Sequence, residues 1–152
     1  MRIVVSNEQR EARVNVRQLS RLARRAARRL AIGQPGILSI ALISTRRMRR
    51  LNQRFLGHDR STDVLSFRYD DAFPLPRQGR HARAIGDIVI APREARVYAK
   101  RHGIPYDEEL ARYVVHGLLH WLGHEDRTLR EQRAMRVRED ALLDACGLLV
   151  SA

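Results

Sequence analysis

Residues 113–123 read Tyr113-Val114-Val115-His116-Gly117-Leu118-Leu119-His120-Trp121-Leu122-Gly123. Apart from the two histidines, this stretch is apolar on nearly every side of a helix, which is typical of a helix buried inside a domain. Acidic residues at 107–109 favour a helix N-terminus and Gly123 favours a helix end, so we predict a helix over 107–122. A buried helix needs neighbours on every side, and the rest of the chain is expected to supply them.

The segments around this helix carry alternating strand and helix patterns. Short β-branched or continuous apolar runs predict strands over 2–6, 37–43, 64–67 and 86–91. Apolar residues spaced three and four apart predict further helices over 16–31, from 44 or 45 to about 55, over 92–102 and over 128–145. Residues 69–83 are rich in Asp, Pro and Gly and predict a loop. The order indicates an α+β fold: a small mixed four-stranded sheet covered by about five helices, with the histidine helix near the centre.

Length and composition are those of one globular domain, which is expected to span residues 1–152. The chain is 44% hydrophobic and 30% charged, which argues against disorder. Cys146 is the only cysteine, so an intramolecular disulfide framework and a CxxC-type zinc site are both excluded. The apolar run at 37–43 is far shorter than the roughly 18 residues of a membrane-spanning helix, and the N-terminus does not resemble a signal peptide. We therefore expect a cytoplasmic protein.

The charge of the chain is strongly positive. Lys and Arg number 29 against 17 Asp and Glu, a net charge of +12, and Lys100 is the only lysine. Arginines crowd one face of the predicted helices at 17–29 and 46–54; on the opposite face of the second, Met48, Leu51 and Phe55 are expected to point inward. Because arginine binds phosphate bidentately, nucleic acid is the first expected partner and an anionic membrane surface the second.

Three histidines lie close together at positions 116, 120 and 124. His116 and His120 are one helical turn apart, so their rings share one face and can bind a single divalent metal ion. Gly123 permits a left-handed residue that reverses the chain, so a residue just after it can supply a third ligand. The candidates are His124, Glu125 and Asp126. Two buried imidazoles need polar partners, which also favours a metal.

The residue after the first histidine argues against a peptidase. Zinc proteases of the HExxH type carry a glutamate there as general base, whereas this chain has Gly117. A reaction in which metal-bound water attacks another electrophile is therefore favoured over peptide hydrolysis.

Three blocks of the sequence together resemble one known family. The histidine block is similar to the HGxLHxxGxDH signature of the YbeY family, bacterial endoribonucleases of ribosomal RNA maturation. Leu51-Asn52 followed by Ser61-Thr62-Asp63-Val64-Leu65-Ser66-Phe67 resembles the family's LN…TDVLSF segment, and Gly86-Asp87-Ile88-Val89-Ile90 resembles its GDI(V)I strand. The blocks stand in the family's order within about residues 37–147.

The resemblance implies a zinc-dependent, single-strand-specific endoribonuclease. Its implied role is 16S rRNA 3′-end maturation and ribosome quality control, with rRNA, the ribosome or ribosomal proteins as partners and no membrane. The implied cofactor is one Zn2+ per chain, and the implied reaction is hydrolysis of the RNA phosphodiester by metal-bound water.

Two positions depart from the family pattern. The third metal histidine of the family falls ten residues after the first, where this chain has Asp126. A carboxylate is a competent zinc ligand, so the expected set is His116, His120 and Asp126, with His124 as the competing third ligand. The second departure is Leu56, where the family usually has an arginine implicated in catalysis; Arg54 and Arg60 are the candidates to replace it.

An alternative from another class is a non-catalytic RNA-binding ribosome-assembly factor with a structural metal. A closed four-ligand site would favour this alternative, and an open coordination position would favour the enzyme. For Thr62-Asp63, ordering the turn into the next strand is favoured over a chemical role.

Overall fold

The computed structural model describes residues 1–56, 63–69 and 83–148. In these ranges the chain forms the strands β1 (Arg2–Asn7), β2 (Ile37–Leu42), β3 (Val64–Arg68) and β4 (Ala84–Ile90). It also forms the helices α1 (Val16–Arg29), α2 (Thr45–Leu56), α3 (Pro92–His102), α4 (Tyr106–Trp121) and α5 (Leu129–Ala145). Every predicted strand and helix is present within two residues of its predicted bounds, while most of the predicted loop at 69–83 lies outside the described residues.

The four strands form one mixed sheet in the order β1-β2-β4-β3. The β1–β2 and β2–β4 pairs are parallel, and β3 pairs antiparallel with β4. Parallel neighbours need a crossover connection, which α1 supplies between β1 and β2. The expected α+β fold with a small mixed sheet and five helices is confirmed for the described residues.

The larger hydrophobic core lies between one face of the sheet and α1, α4 and α5. On β2 the residues Leu38, Ile40 and Leu42 are fully buried in this core, whereas the residues between them are only partly buried. This alternation follows from the two-residue period of a strand. A smaller cluster contains Met48 of α2 together with Leu65 and Val89 of the sheet.

Helix α4 is the central helix of this core. Eleven of its 16 residues are buried, and it packs against α1, α3, α5, β3 and β4. Gly117 permits the close approach to the sheet, because a Cβ at this position would lie 2.6 Å from Ile88 Cγ2 and 3.2 Å from Val64 Cγ1. The Ser66 hydroxyl donates a hydrogen bond of 2.8 Å to the Gly117 carbonyl. Position 117 thus faces the sheet, so a side chain here could not serve as a general base beside the histidines.

The prediction that Phe55 points inward is wrong, whereas Met48 is fully buried and Leu51 is partly buried as expected. Phe55 is 57% exposed, and its ring contacts that of Phe67, a partly buried residue of β3, edge-on at a centroid distance of 5.5 Å. Asn52, one turn after Met48, takes the fully buried position. Periodicity correctly predicted which face of α2 packs against the core. It did not predict that this packing ends before Phe55.

Across the described ranges, every helix is too short or too polar to cross a lipid bilayer.

Candidate metal centre

The two predicted histidine ligands lie side by side at the C-terminal end of α4. The rings of His116 and His120 have centroids 4.5 Å apart and planes inclined by 71°. Their side chains are 27% and 26% exposed, so both are held by the core but open to solvent on one side. This arrangement follows from their spacing of one helical turn on a helix whose remaining surface is largely buried.

The turn after α4 returns the chain to the histidines. Gly123 adopts a φ of +100°, in the left-handed region that favours glycine, and the His124 amide donates to the Leu119 carbonyl at 3.0 Å. Beyond this turn, Asp126 Oδ2 lies 3.2 Å from His120 Nε2 and 3.6 Å from His116 Nε2. One donor atom from each of the three residues lies within 4.8 Å of the others.

These three donors fit a small divalent ion. Two donors each about 2.0–2.1 Å from a tetrahedral ion are about 3.3 Å apart, close to both distances from Asp126. Two imidazoles and one carboxylate also form a donor set that zinc accepts. Of the candidates for a third ligand, the turn places Asp126 in the cluster, whereas His124 and Glu125 lie outside it in the described structure. Glu125 pairs instead with Arg127 Nε at 3.4 Å.

Sequence reasoning missed a buried ion-pair network behind His116. The Nδ1 of His116 is 2.6 Å from Glu139 Oε2, and the Glu139 side chain is only 6% exposed. Arg112 Nη1 donates to Glu139 Oε1 at 3.1 Å, and Arg112 Nη2 pairs with Asp140 Oδ1 at 2.8 Å. Burial alone would lower the pKa of Arg112, but its hydrogen bonds to Asp140 and Glu139 outweigh burial and raise it.

A signal for this network is present in the sequence. Glu139 lies on the buried stripe of α5, four residues after Met135 and three before Leu142. Arg112 lies one turn before His116 on the buried helix α4. A charged residue at a core position of an amphipathic pattern needs a partner, and here the two charged residues are partners of one another.

A cavity of about 420 Å³ adjoins the cluster, lined by polar and aromatic side chains that include Asp63, Glu109, Tyr113, His116 and Asp126. The Tyr113 hydroxyl donates to Asp63 Oδ2 at 2.8 Å. Burial raises the pKa of Asp63, and the hydrogen bond from Tyr113 opposes that rise. The Asp63 carbonyl accepts from the Ala91 amide at 3.1 Å, while Thr62 lies outside the described residues.

Glu109 is a second buried acid that lines this cavity. It is 4% exposed, and its Oε2 has no hydrogen-bond partner among the described residues. Burial raises the pKa of Glu109, while Arg112 and Arg136 oppose that rise. Glu139 is therefore held by direct hydrogen bonds, whereas Glu109 has a carboxylate oxygen without one in the described structure.

The predicted arginine faces are exposed. All six arginines of α1 point to solvent, as do five on α2: Arg17, Arg21, Arg24, Arg25, Arg28 and Arg29, then Arg46, Arg47, Arg49, Arg50 and Arg54.

Leu56 is the last residue of α2; its side chain and Arg60 lie outside what the structure describes. His102 is exposed and stacks on Tyr98, whereas His58 and His81 lie outside the described residues. Cys146 is buried in the hydrophobic core.

Sequence comparison identifies relatives over most of the chain. The sequence model of the family described as "Endoribonuclease YbeY" matches residues 4–147. A protein named Endoribonuclease YbeY from Carboxydothermus hydrogenoformans is 37% identical over 116 residues, which cover 76% of this chain and 76% of that protein. One of the same name from Frankia casuarinae is 33% identical over 147 residues, 94% of this chain and 73% of that protein. One from Myxococcus xanthus is 39% identical over 115 residues, which cover 76% of this chain but only 38% of that longer protein.

A solved structure shares the fold. The solution structure of TM1509 from Thermotoga maritima superposes with a TM-score of 0.56 at 23% identity, covering 95% of this chain and 91% of that one. This likeness supports the α+β fold independently of the element predictions.

Proposed function

The chain belongs to the YbeY endoribonuclease family, and from that premise we propose that it is a zinc-dependent endoribonuclease that cleaves single-stranded RNA. The proposed zinc ligands are His116, His120 and Asp126, one ion per chain. Family membership supports the class of reaction, a nuclease hydrolysis. The metal, the strand preference and the ligand set belong to the proposal.

The observation that carries this proposal is the three-donor cluster at the solvent edge of α4. Structural zinc sites are closed by four protein ligands, whereas catalytic sites have three and leave one position for substrate or water. The described residues contribute three donors here, and the Asp126 side chain is 37% exposed. When bound, zinc supplies Lewis acidity, which activates water at neutral pH and polarises a phosphoryl oxygen.

The residues of the chain supply the remaining parts of the reaction. The packing of α4 in the core fixes the positions of the two imidazole rings relative to one another. Their geometry is therefore set before RNA binds. Asp126 would bring a negative charge to the cluster that a third histidine would not, so the loaded site would carry less positive charge. The exposed arginines of α1 and α2 supply the positive field that attracts the sugar-phosphate backbone.

The proposed biological role is 16S rRNA 3′-end maturation and ribosome quality control in the cytoplasm, with rRNA, the ribosome or ribosomal proteins as partners. The family resemblance supports this role, and the net charge of +12 suits an RNA partner. Depletion of the protein in its host should lengthen the 3′ end of 16S rRNA. Wild-type protein should restore the mature end, and the His120→Ala variant should not.

The biochemical test is cleavage by the zinc-loaded protein of one RNA, presented either single-stranded or annealed to its complement. We expect cleavage of the single strand only, one zinc per chain by elemental analysis, and loss of cleavage with a chelator. His120→Ala should lose most of the metal and the cleavage, while His102→Ala, at an exposed histidine of α3, should keep both. Full zinc content in His120→Ala would contradict the ligand set, and chelator-resistant cleavage would contradict the metal dependence.

The second candidate function is the non-catalytic RNA-binding assembly factor, and Leu56 is the observation that favours it. Leucine cannot bind a scissile phosphate, whereas the family usually has an arginine at this position. Tight RNA binding without cleavage, in protein carrying a full complement of zinc, would support this candidate over the enzyme.

A further inference from the structure

His116 and His120 differ in what lies behind them. The Nδ1 of His116 is 2.6 Å from the carboxylate of Glu139, a side chain that is 6% exposed. In the described part of the chain, the polar contact of His120 is that of its Nε2 with Asp126. Among the residues that the structure describes, His116 therefore has a buried partner on its far nitrogen and His120 does not.

A neutral imidazole has one N–H and one lone pair, and only the lone pair can bind a metal. The Nε2 of His116 faces Asp126 at 3.6 Å, so ligation requires the lone pair on Nε2 and the proton on Nδ1. An ionised carboxylate only accepts hydrogen bonds, and therefore a carboxylate 2.6 Å from Nδ1 selects this tautomer.

The Glu139 carboxylate is itself held in place. Arg112 donates to its other oxygen, Oε1, at 3.1 Å, so the two carboxylate oxygens have different partners and the group cannot rotate without losing one. Arg112 is in turn paired with Asp140 at 2.8 Å. The guanidinium compensates the buried negative charge, which would otherwise be costly between α4 and α5.

We infer that Glu139, held by Arg112, is a positioning residue that fixes the tautomer and ring orientation of His116 for metal binding. The inference rests on the proposed metal centre. It assigns to α5 a part in the site, since His116, His120 and Asp126 all come from α4 and the turn after it. A carboxylate behind a metal-binding histidine is a general means of orienting the ring and raising its basicity.

The first test reads the tautomer in metal-free protein, by the imidazole ¹⁵N chemical shifts at a pH where the rings are neutral. We expect His116 to carry its proton on Nδ1 in the wild type. In Glu139→Gln, which offers the ring both a carbonyl and an amide, we expect a mixture of tautomers. His120, for which the described ranges hold no comparable partner, should give the same spectrum in both proteins. A His116 proton on Nε2 in the wild type would overturn the inference without any variant.

The second test measures zinc affinity by competition with a chromophoric chelator. Loss of a partner behind a metal ligand typically weakens binding about 10–100-fold, so we expect a change of that size for Glu139→Gln. The matched control is Asp144→Asn, which removes an exposed carboxylate of the same helix and leaves Glu139, Arg112 and Asp140 unchanged; its affinity should stay near that of the wild type. Equal affinity of Glu139→Gln and wild type would overturn the inference.

The two tests separate this inference from the proposed function. A wild-type protein that binds no zinc contradicts the proposed function, while the tautomer of His116 still reports on Glu139. Wild-type zinc binding with an unaffected Glu139→Gln variant contradicts the positioning role alone. If Glu139→Gln does not fold, as judged by far-ultraviolet circular dichroism, the wild-type ¹⁵N spectrum still decides the inference.

Discussion

Arg112 and the arginines of α1 have the same side chain in opposite surroundings. Arg112 is 7% exposed and contacts two carboxylates, Glu139 and Asp140. The six arginines of α1 are exposed, and none of them pairs with a carboxylate in the described part of the chain. The buried arginine organises the partners of a proposed metal ligand, whereas the exposed set produces an uncompensated positive field. Net charge alone does not distinguish these two uses.

The largest expected effect is on the free energy of unfolding, when the buried arginine and one exposed arginine are each replaced. Arg112→Met leaves Glu139 as an uncompensated buried carboxylate, and removing one partner of a buried ion pair costs about 3–5 kcal/mol. The matched control is Arg21→Met on α1, where an exposed substitution changes stability by within about 0.5 kcal/mol. Urea unfolding of both metal-free variants measures the difference. Similar small losses for the two would show that burial does not distinguish the arginines.

The second prediction places an arginine at the end of α2, where the family usually has one. If an arginine there stabilises charge on the phosphoryl group, Leu56→Arg should raise the single-turnover cleavage rate, since one positioned donor typically contributes about 10²–10³-fold. Metal content and RNA affinity should be unchanged, and both need to be measured. Strong wild-type cleavage that is lost in Arg54→Ala or Arg60→Ala, with no gain in Leu56→Arg, would show that a neighbouring arginine has this role.

A smaller effect is expected from the exposed arginines as a set. Neutralising Arg21, Arg25 and Arg28 together to Gln should weaken binding to single-stranded RNA. It should also make the slope of log affinity against log salt shallower by up to about 2, at roughly 0.7 per lost phosphate contact. The same three changes to Lys keep the charge and should keep the slope. An affinity that does not respond to salt in the wild type would contradict phosphate-driven binding.

The smallest expected effect concerns Glu109, which is buried as Glu139 is but whose Oε2 has no hydrogen-bond partner within the described ranges. Burial raises its pKa above the ordinary value of 4.5, so between the two values the native state binds more protons than the unfolded chain. Native stability therefore falls as pH rises through this window. Glu109→Gln does not titrate, so its stability relative to the wild type should increase from pH 4 to pH 7 in urea unfolding. If the difference in unfolding free energy between the two proteins does not depend on pH, the raised pKa of Glu109 is contradicted.

Local pattern was sufficient for the elements and for part of the site. Each strand and helix rests on periodicity within a short window, and His116 and His120 share a helix face by spacing alone. The turn at Gly123 predicted a third ligand but left His124, Glu125 and Asp126 open, because the direction of three residues after a left-handed glycine depends on what they pack against. The family pattern favoured Asp126, and the described structure brings that residue to the histidines.

Long-range contacts decided what local pattern could not. Glu139 is 23 residues from His116, and their contact exists only because α5 packs against α4 with its charged position facing inward. The exposure of Phe55 likewise depends on how far the residues packed against α2 extend along the helix. The sequence close to residue 55 does not contain this information.

The α+β element order, the buried helix with its histidine pair, the exposed arginine faces and the family resemblance could all be predicted before the structure was known. All of these are properties of spacing and composition along one segment or of matched motifs. Three features required the folded chain: position 117 faces the sheet, Asp126 lies beside the histidines, and Arg112 and Glu139 are buried partners behind His116. The charge of a side chain follows from its residue type, whereas its burial and its partner depend on which distant segment packs against it.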